Sequence, residues 1–292
     1  MVSKGNSALS QVTNDTTNSA DTLNRKHLTI FVVTGSSLYA GSTIGLYNLW
    51  YKNYPQSSFH LFNDNKEWLQ MDKCAHVTAS YYIGRVGYSA LRWSGVSEKK
   101  AIWYGGMTGF AFLTTIEIMD GFSKEWGFSP VDIVANTFGT GLFISQQLAW
   151  HEQKFVMKYS FHSSPFAQFN PDLLGSTLLQ NMVKDYNGQT YWLSANISSL
   201  GLQHTRFPKW LNIAAGYGAE GMIGASNNPT EVNIPNSERY RQFYLTPDID
   251  LSRIPVKSKT LKLFLKTIGF IKIPMPALEF NKNGVKFHPL YF

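Results

Sequence analysis

Only one cysteine, Cys74, occurs in the 292 residues of this chain. A lone thiol cannot close an intramolecular disulfide, so disulfides do not stabilise the fold. Charged residues are also scarce, at 15% of the chain, against about 25% in typical soluble domains. The sequence contains no Gly-Lys-Ser/Thr phosphate loop, no cysteine-rich zinc pattern and no nucleic-acid-binding motif. We therefore expect no nucleic-acid partner.

Aromatic residues, by contrast, make up 15% of the chain. Many aromatic side chains with few charges are typical of a protein that meets an apolar partner or a membrane interface. A soluble protein with an aromatic core is the alternative. The net charge is +7, and the densest basic run comprises Lys257, Lys259, Lys262 and Lys266. That run indicates either a solvated face or a contact with anionic lipid.

Changes in composition divide the chain into three parts. Residues 1–27 are rich in Ser, Asn, Thr and Asp, which predicts a disordered lead. Residues 28–152 are predicted to form a helical core, and residues 153–292 a mixed, β-rich part. A secretory signal needs a basic start followed by a short apolar run, and we expect none in the first residues.

Four helices are predicted in the helical core. The first, over 28–50, has no charged residue, which suits a membrane span or a buried core helix. The others are predicted over 71–93, from 97 to about 119, and from Pro130 to about 150. Ser129 is a good N-cap for the last of them, and Pro130 fits its first position.

The C-terminal part contains segments with a period of two. They predict strands over 190–197, 210–217 and 240–251. A short helix is predicted over 257–271, and a hairpin around Gly284, although Pro289 disfavours its last strand. The fold class is therefore α+β: about four packed helices followed by short strands and hairpins. A terminal aromatic such as Phe292, closing an alternating strand, is typical of outer-membrane proteins, although the segments are too few for a complete barrel.

Ionisable and amide side chains stand at helical spacing on otherwise apolar helices. Residues three or four apart share one helix face, and helices joined by short connections pack as neighbours. We therefore expect these faces to converge on one pocket. The set, called the polar seam below, consists of Asp72, Lys73, His76, Glu117, Asp120, Asp132 and Asn136.

The leading interpretation of the polar seam is a structural hydrogen-bond network, because buried polar groups usually satisfy one another. Asp72 and Asp132 are alternatively only helix-start carboxylates. No cofactor is predicted. A divalent metal bound by His76, Glu117 and Asp120 is one alternative. Acid–base catalysis by the same three residues with Asp132 is another.

Four motifs carry a family resemblance: Asp72-Lys73-x-x-His76, Glu117-x-x-Asp120, Trp126-Gly127-x-Ser129-x-x-Asp132 and Asn136-x-x-Gly139. The segment holding them resembles the YfiM-like family of predicted periplasmic, outer-membrane lipoproteins, whose function is unknown. Flanking segments at 185–194, 239–245 and 287–292 resemble the long version found in Bacteroidota. A shorter likeness relates five seam residues to VanZ-like membrane proteins: Asp72, His76, Glu117, Asp132 and Asn136.

The resemblance implies a location rather than a reaction: the cell envelope, at the outer membrane or facing the periplasm. We therefore expect a structural or accessory protein without enzymatic activity, in contact with a membrane or envelope lipid and with an envelope protein partner. One alternative is a metal-dependent or acid–base enzyme acting on an envelope lipid or glycan. Another is a transmembrane helical bundle of the VanZ type.

Overall fold

The computed structural model describes residues 22–52, 54–202, 205–230 and 236–292. Most of the predicted disordered lead, residues 1–21, lies outside these ranges. The first helix, α1, runs over Arg25–Leu46, three residues earlier than expected, and a π-helical turn follows as far as Tyr51. Asn24 sets the start of the helix, because its side chain accepts a hydrogen bond from the backbone N–H of His27.

Helix α1 is peripheral. Within the described part of the chain none of its residues is buried, so the interpretation of this segment as a buried core helix is wrong. Its small residues would permit close packing, but no described atom lies within 4 Å of a Cβ placed on Gly41 or Gly45. Helix α1 contacts the core through single side chains instead, such as Tyr39, whose hydroxyl donates to Thr115 at 2.9 Å. Among the described residues it is the one helix long and apolar enough to cross a membrane, a property that signal sequences share.

Helix α2 is the centre of the helical core. Helices α4 and α5 approach it closely because glycines face it. A Cβ on Gly109 of α4 would stand 2.2 Å from the carbonyl oxygen of Ser80, and one on Gly139 of α5 would stand 2.1 Å from that of Val77. The helices are α2 (Met71–Trp93), α3 (Glu98–Lys100, extended by a π-helical turn over Ala101–Gly105), α4 (Thr108–Asp120) and α5 (Pro130–Trp150).

The C-terminal part forms a six-stranded antiparallel sheet in the order β1-β2-β3-β4-β5-β6. Short helices interrupt it: α6 (Pro171–Leu174) and α7 (Leu178–Lys184) between β1 and β2, and α8 (Lys259–Thr267) between β4 and β5. The strands are β1 (Phe155–Phe161), β2 (Gln189–Asn196), β3 (Leu211–Glu220), β4 (Tyr240–Ile249), β5 (Met275–Asn281) and β6 (Gly284–Tyr291).

The α+β prediction is confirmed, with two corrections in the strands. Strand β1 was not predicted, because Lys158 interrupts its apolar pattern. In the structure the Lys158 side chain is buried and forms an ion pair with Asp248. Pro289 does not end the last strand. Because β6 is at the edge of the sheet, a missing N–H is tolerated there, and the register shift falls opposite it, between Met275 and Ala277.

The sheet packs against the helical core through its β1 end. One apolar cluster joins α2 and α5 to β1, and a second joins the start of α2 to β2 and β3. The first consists of Tyr81, Ile102, Phe143, Ile144, Val156 and Met157. The second consists of Met71, Tyr191, Ala219 and Met222. These contacts fix the start of α2, which carries three of the seven polar-seam residues, Asp72, Lys73 and His76.

Candidate functional site

The ammonium group of Lys73 stands among three carboxylates. Its Nζ lies 2.6 Å from Asp64 Oδ2, 2.9 Å from Asp72 Oδ2 and 2.9 Å from Asp132 Oδ1. Burial alone would lower the pKa of Lys73, but the carboxylates outweigh it and raise that pKa well above its usual value. Lys73 is therefore a fixed positive charge that joins α2, α5 and the loop before α2.

His76 is one turn further along α2, and a neighbouring amide fixes its tautomer. Its Nδ1 lies 3.0 Å from Asn136 Oδ1, and because an amide oxygen only accepts, Nδ1 carries the proton. Burial lowers the pKa of His76 to about 4, so the ring is neutral at pH 7. The lone pair of Nε2 is therefore directed toward Glu117 and Asp132, whose nearest oxygens are 3.6 and 4.0 Å away.

Glu117 is almost fully buried on α4, with 2% of its surface exposed. Its Oε2 accepts a hydrogen bond from the backbone N–H of Ser129 at 3.1 Å, while Oε1 faces His76. Burial, reinforced by Asp132 and Asp120, raises the pKa of Glu117 to about 9. Burial likewise raises the pKa of Asp132 to about 8. Both acids therefore take up protons unless further positive charge is nearby.

Ser129 holds the start of α5 in register with the rest of the site. Its hydroxyl donates to Asp64 Oδ1 at 2.7 Å and accepts from the backbone N–H of Asp132 at 3.1 Å. The predicted N-cap is present, and it also links the loop before α2 to α5. Asp132 lies in the first turn of its helix, as expected, but its carboxylate contacts Lys73 rather than solvent.

Asp120 lies at the end of α4, beside the aromatic residue that follows α1. The hydroxyl of Tyr51 donates to Asp120 Oδ1 at 2.6 Å. Burial raises the pKa of this carboxyl to about 7. Asp120 lines the same cavity as His76 and Glu117, but it does not belong to their group of converging donor atoms. The structure brings Asp132 to that position instead.

Three donor atoms, one each from His76, Glu117 and Asp132, lie within 4.8 Å of one another. The Asp132 oxygen nearest His76 is Oδ1, which also lies 2.9 Å from the ammonium group of Lys73. Neighbouring ligands of a tetrahedral zinc ion are roughly 3.3 Å apart for bonds of about 2.0–2.2 Å. The distances from His76 Nε2 to Glu117 and to Asp132, 3.6 and 4.0 Å, exceed this by about 0.3 and 0.7 Å, so a small inward movement of the two carboxylates would let the three groups hold a divalent cation.

A second acidic group, Asp64, Asp72 and Asp132, meets the same distance criterion. Its centre is taken by the ammonium group of Lys73, so we regard it as an ion-pair network.

The donor atoms face a cavity of about 240 Å³. Its wall combines carboxylates with aromatic rings, and part of it comes from α6, α7 and the turn after them. The carboxylates are Asp64, Glu67, Asp72, Glu117, Asp120, Asp132 and Asp172, and the aromatic side chains are Tyr51, Tyr54, Trp68, Trp126 and Tyr186.

Strained backbone precedes α2 at the edge of the cavity. Trp68, Leu69 and Gln70 have φ values of 46°, 50° and 66°, in the left-handed region that residues other than glycine seldom adopt. The N–H of Trp68 donates to the carbonyl of Ala225, and the Tyr217 hydroxyl donates to that of Leu69. Contacts with the C-terminal part therefore hold the strained segment, which places the Trp68 ring in the cavity wall.

The structure places Asp72, His76, Glu117, Asp120 and Asp132 at the wall of one cavity, but several other residues of the site were not predicted. Asp64 and Trp68 lie in a polar loop without periodicity, so no pattern assigns them a direction. Asp172 and Tyr186 come from the C-terminal part, and only the tertiary fold brings them to the cavity. Ser129 was recognised as a cap, yet its bond to Asp64 is a long-range contact.

Comparison with known families yields one match. Residues 60–146 match the family described as predicted periplasmic lipoprotein (DUF2279), and this span contains the whole polar seam together with Asp64 and Ser129. No curated protein matches the chain, and no solved structure does. The family description agrees with the expected localisation in the cell envelope, facing the periplasm.

Proposed function

We propose that this chain is an accessory envelope protein that binds a divalent cation through His76, Glu117 and Asp132. The observation that carries the proposal is the convergence of three donor atoms from α2, α4 and α5 at the wall of a cavity. A nitrogen with two carboxylates is a donor set suited to zinc and similar divalent ions.

Charge balance supports a cation. Among the described residues, Lys73 is the one ammonium group in contact with Asp64, Asp72 and Asp132, and Glu117 is buried close by. One positive charge cannot balance four carboxylates, which is consistent with the raised pKa of Glu117 and of Asp132. A bound divalent cation would let both ionise, because opposite charge favours the charged form.

The surroundings of His76 also support a metal ligand. Metal-binding histidines commonly donate their second N–H to a carbonyl or carboxylate, which fixes the ring and the tautomer. Asn136 Oδ1 provides that acceptor, and the side chain of Asn136 is fully buried. The remaining ring nitrogen then keeps its lone pair for the cation.

Calorimetric titration of the full chain with Zn²⁺, after removal of metals by a chelator, tests the proposal. We expect one saturable site. The isosteric substitution Glu117→Gln should weaken binding by more than about 100-fold, since even outer-sphere partners contribute roughly 10- to 100-fold. Weak or absent saturation of the wild type, or equal affinity in Glu117→Gln, would contradict the proposal.

The pair His151 and Glu98 is a matched control. Its ring nitrogen and carboxylate oxygen are 3.0 Å apart, and both side chains are well exposed. The variants His151→Gln and Glu98→Gln remove the same chemical groups at the surface. We expect both to bind Zn²⁺ as the wild type does, which separates the buried site from adventitious surface binding.

A second candidate function is acid–base catalysis on an envelope lipid or glycan. One observation favours it: two carboxyls with different surroundings line one cavity, Glu117 buried beside His76 and Asp64 in contact with Lys73 and Ser129. The pKa of Glu117 is raised to about 9, whereas hydrogen bonds outweigh burial at Asp64 and lower its pKa. Such separation suits an acid and a base that act together.

Incubation of the metal-free chain with envelope phospholipids and with peptidoglycan fragments tests this second function. Product that forms without metal and disappears in Glu117→Gln would support it, and the absence of any product would count against it.

The cation site does not depend on the narrower resemblances to the YfiM-like branch, to its Bacteroidota version or to VanZ-like proteins, which stay proposals.

A further inference from the structure

The enclosed face of the sheet mixes buried polar side chains with an apolar cluster of Trp192, Ala214 and Tyr244, whereas the opposite face is predominantly apolar. The sheet curls until Ile271, just before β5, pairs with Tyr159 of β1. The enclosed face carries the ion pair between Lys158 and Asp248, whose Nζ and Oδ2 are 2.7 Å apart with both side chains at most 1% exposed. The enclosed polar residues also include Ser160, Thr190, Ser194, Asn212, Thr246 and Glu279.

Large apolar side chains occupy the opposite, outer face. Their exposed fractions run from 40% for Leu278 to 67% for Val285. The strand registers place them side by side on one surface, in the alternating positions that share a face. This surface, called the outer face below, comprises Leu193, Ile213, Phe243, Leu245, Leu278, Phe280, Val285 and Phe287.

The helical core covers only one end of this side of the sheet, where Tyr191, two residues before Leu193, packs with Met71. The eight residues of the outer face lie beyond these contacts and stay exposed. In water, an antiparallel sheet normally buries its apolar face and solvates its polar one. Here large apolar side chains are exposed on the outer face while Lys158, Asp248 and Glu279 are enclosed, a distribution typical of strands which face lipid. Strands β3 and β4 have 10 residues each, within the roughly 9–11 residues of a membrane-spanning strand.

A basic amphipathic helix stands at one end of these strands. Helix α8 follows the end of β4 and precedes β5. Lys259, Lys262 and Lys266 recur at helical spacing on one side of it, and the exposed Leu261 and Phe264 recur on another. Lysines beside exposed apolar residues are the pattern of a helix lying at an anionic lipid surface.

From these observations we propose that the outer face of the sheet is seated in the apolar phase of a lipid bilayer, with α8 at the level of the anionic headgroups. We infer that lipid, rather than a second copy of the chain, covers the outer face. The lysines of α8 favour an anionic surface, and an apolar contact between two sheets would not involve them. This inference is independent of the cation site and of α1.

Depth-sensitive fluorescence on the full chain tests the proposal. In a Cys74→Ala background, Phe280→Cys carries an environment-sensitive dye, and the protein is added to vesicles of phosphatidylethanolamine and phosphatidylglycerol. We expect a blue shift of the emission and strong quenching by lipids brominated on the acyl chain. The substituted side chain is exposed, so the sheet should remain folded, which circular dichroism checks.

The matched control is Leu179→Cys, an apolar residue that is 76% exposed and belongs to helix α7 rather than to the sheet. Because α1 could bring either variant to the vesicle, only the difference between the two labels is informative. We expect no acyl-chain quenching at Leu179. Equal and weak quenching at both positions would overturn the proposal. A second result would also overturn it: the dye at position 280 is shielded from solvent in the absence of vesicles, and the protein sediments as a dimer.

The role of α8 has its own measurement. Replacing Lys259, Lys262 and Lys266 with glutamine should weaken the affinity for phosphatidylglycerol vesicles, measured from the quenching at position 280 as lipid is added, by tenfold or more, since each lysine contributes about 1 kcal/mol at an anionic surface. With vesicles of phosphatidylcholine alone, the triple variant and its parent should show the same quenching. If the triple variant behaves as its parent on anionic vesicles, the placement of α8 at the headgroups is wrong.

Discussion

Asn136 Oδ1 lies 3.0 Å from Nδ1 of His76, a residue 60 positions earlier in the chain. This contact joins α5 to α2 and determines which ring nitrogen of His76 faces Glu117 and Asp132. Because Asn136 is fully buried, its amide has little freedom to turn away. Four predictions follow from this region and from the buried charges of the sheet.

Substitution of Asn136 by alanine should weaken Zn²⁺ binding by roughly 10- to 100-fold, because the acceptor that orients His76 is lost. Calorimetric titration of the folded variant measures the effect. Asn196→Ala is the matched control: it also removes a buried amide, but one bound to Asn212 in the sheet. The control should lose stability and keep its Zn²⁺ affinity. Similar Zn²⁺ affinities in the two variants would show that Asn136 does not position the ligand.

Gly139→Ala should destabilise the protein and disturb the site. The new Cβ would meet backbone atoms of Val77 at 2.1 Å, so α5 must move away from α2. We expect a loss of about 1–3 kcal/mol or more in the free energy of unfolding, the usual cost of overpacking. Gly141→Ala, on the exposed side of the same helix with no described atom within 4 Å, should be neutral or stabilising. Urea unfolding of both variants decides whether contact or helix propensity dominates.

Lys73→Met should be among the most destabilising single substitutions, because it leaves Asp64, Asp72 and Asp132 without their shared counter-charge. Loss of one partner from a buried ion pair costs about 3–5 kcal/mol. The matched variant is Lys282→Met, which removes a lysine paired with the well-exposed Glu238. Surface pairs contribute about 0–1 kcal/mol, so denaturant unfolding should separate the two variants clearly. Equal stabilities would mean that the Lys73 network is not a structural ion-pair cluster.

Lys272 should make stability depend on pH in the alkaline range. Burial, assisted by nearby Lys158, lowers the pKa of Lys272 to about 8, although Asp248 opposes the shift. The unfolded chain, with a lysine pKa of about 10.4, therefore binds more protons between these two values. The free energy of unfolding should consequently rise with pH from about 8 to about 10, and the contribution is complete above the unfolded pKa.

The free energy of unfolding is measured against pH for the wild type and for Lys272→Met. The difference between the two profiles isolates the contribution of Lys272, since the other lysines and the tyrosines titrate in both proteins. The groups that face Lys272 are Lys158 of β1, Asp248 of β4 and the ring of Trp192, and the substitution leaves all three in place. We expect the difference profile to rise by on the order of 1 kcal/mol across this range. A flat difference profile would contradict a lowered pKa in the folded state.

Helical spacing was sufficient to predict that the polar seam shares the inner faces of α2, α4 and α5. Asp72 and His76, four residues apart, must share a face of any regular helix, and Ser129-Pro130 must favour a helix start. The role of Asp120 was less predictable. Asp120 and Asp132 are both acids near a helix end, and only the packing of Tyr51 against Asp120 excludes it from the donor set.

The sequence alone determined the long helices, most of the strands and which seam residues share a face of each helix, because these depend on local periodicity and capping; the short helices α6 and α7 were not predicted. Tertiary structure alone decided three further features: the tautomer of His76, the capture of Lys73 by three carboxylates, and the outward direction of the apolar face of the sheet. Each depends on contacts between residues far apart in the chain, or on which of two alternating faces the sheet encloses. An alternating pattern specifies two faces, but it does not specify which of them meets water.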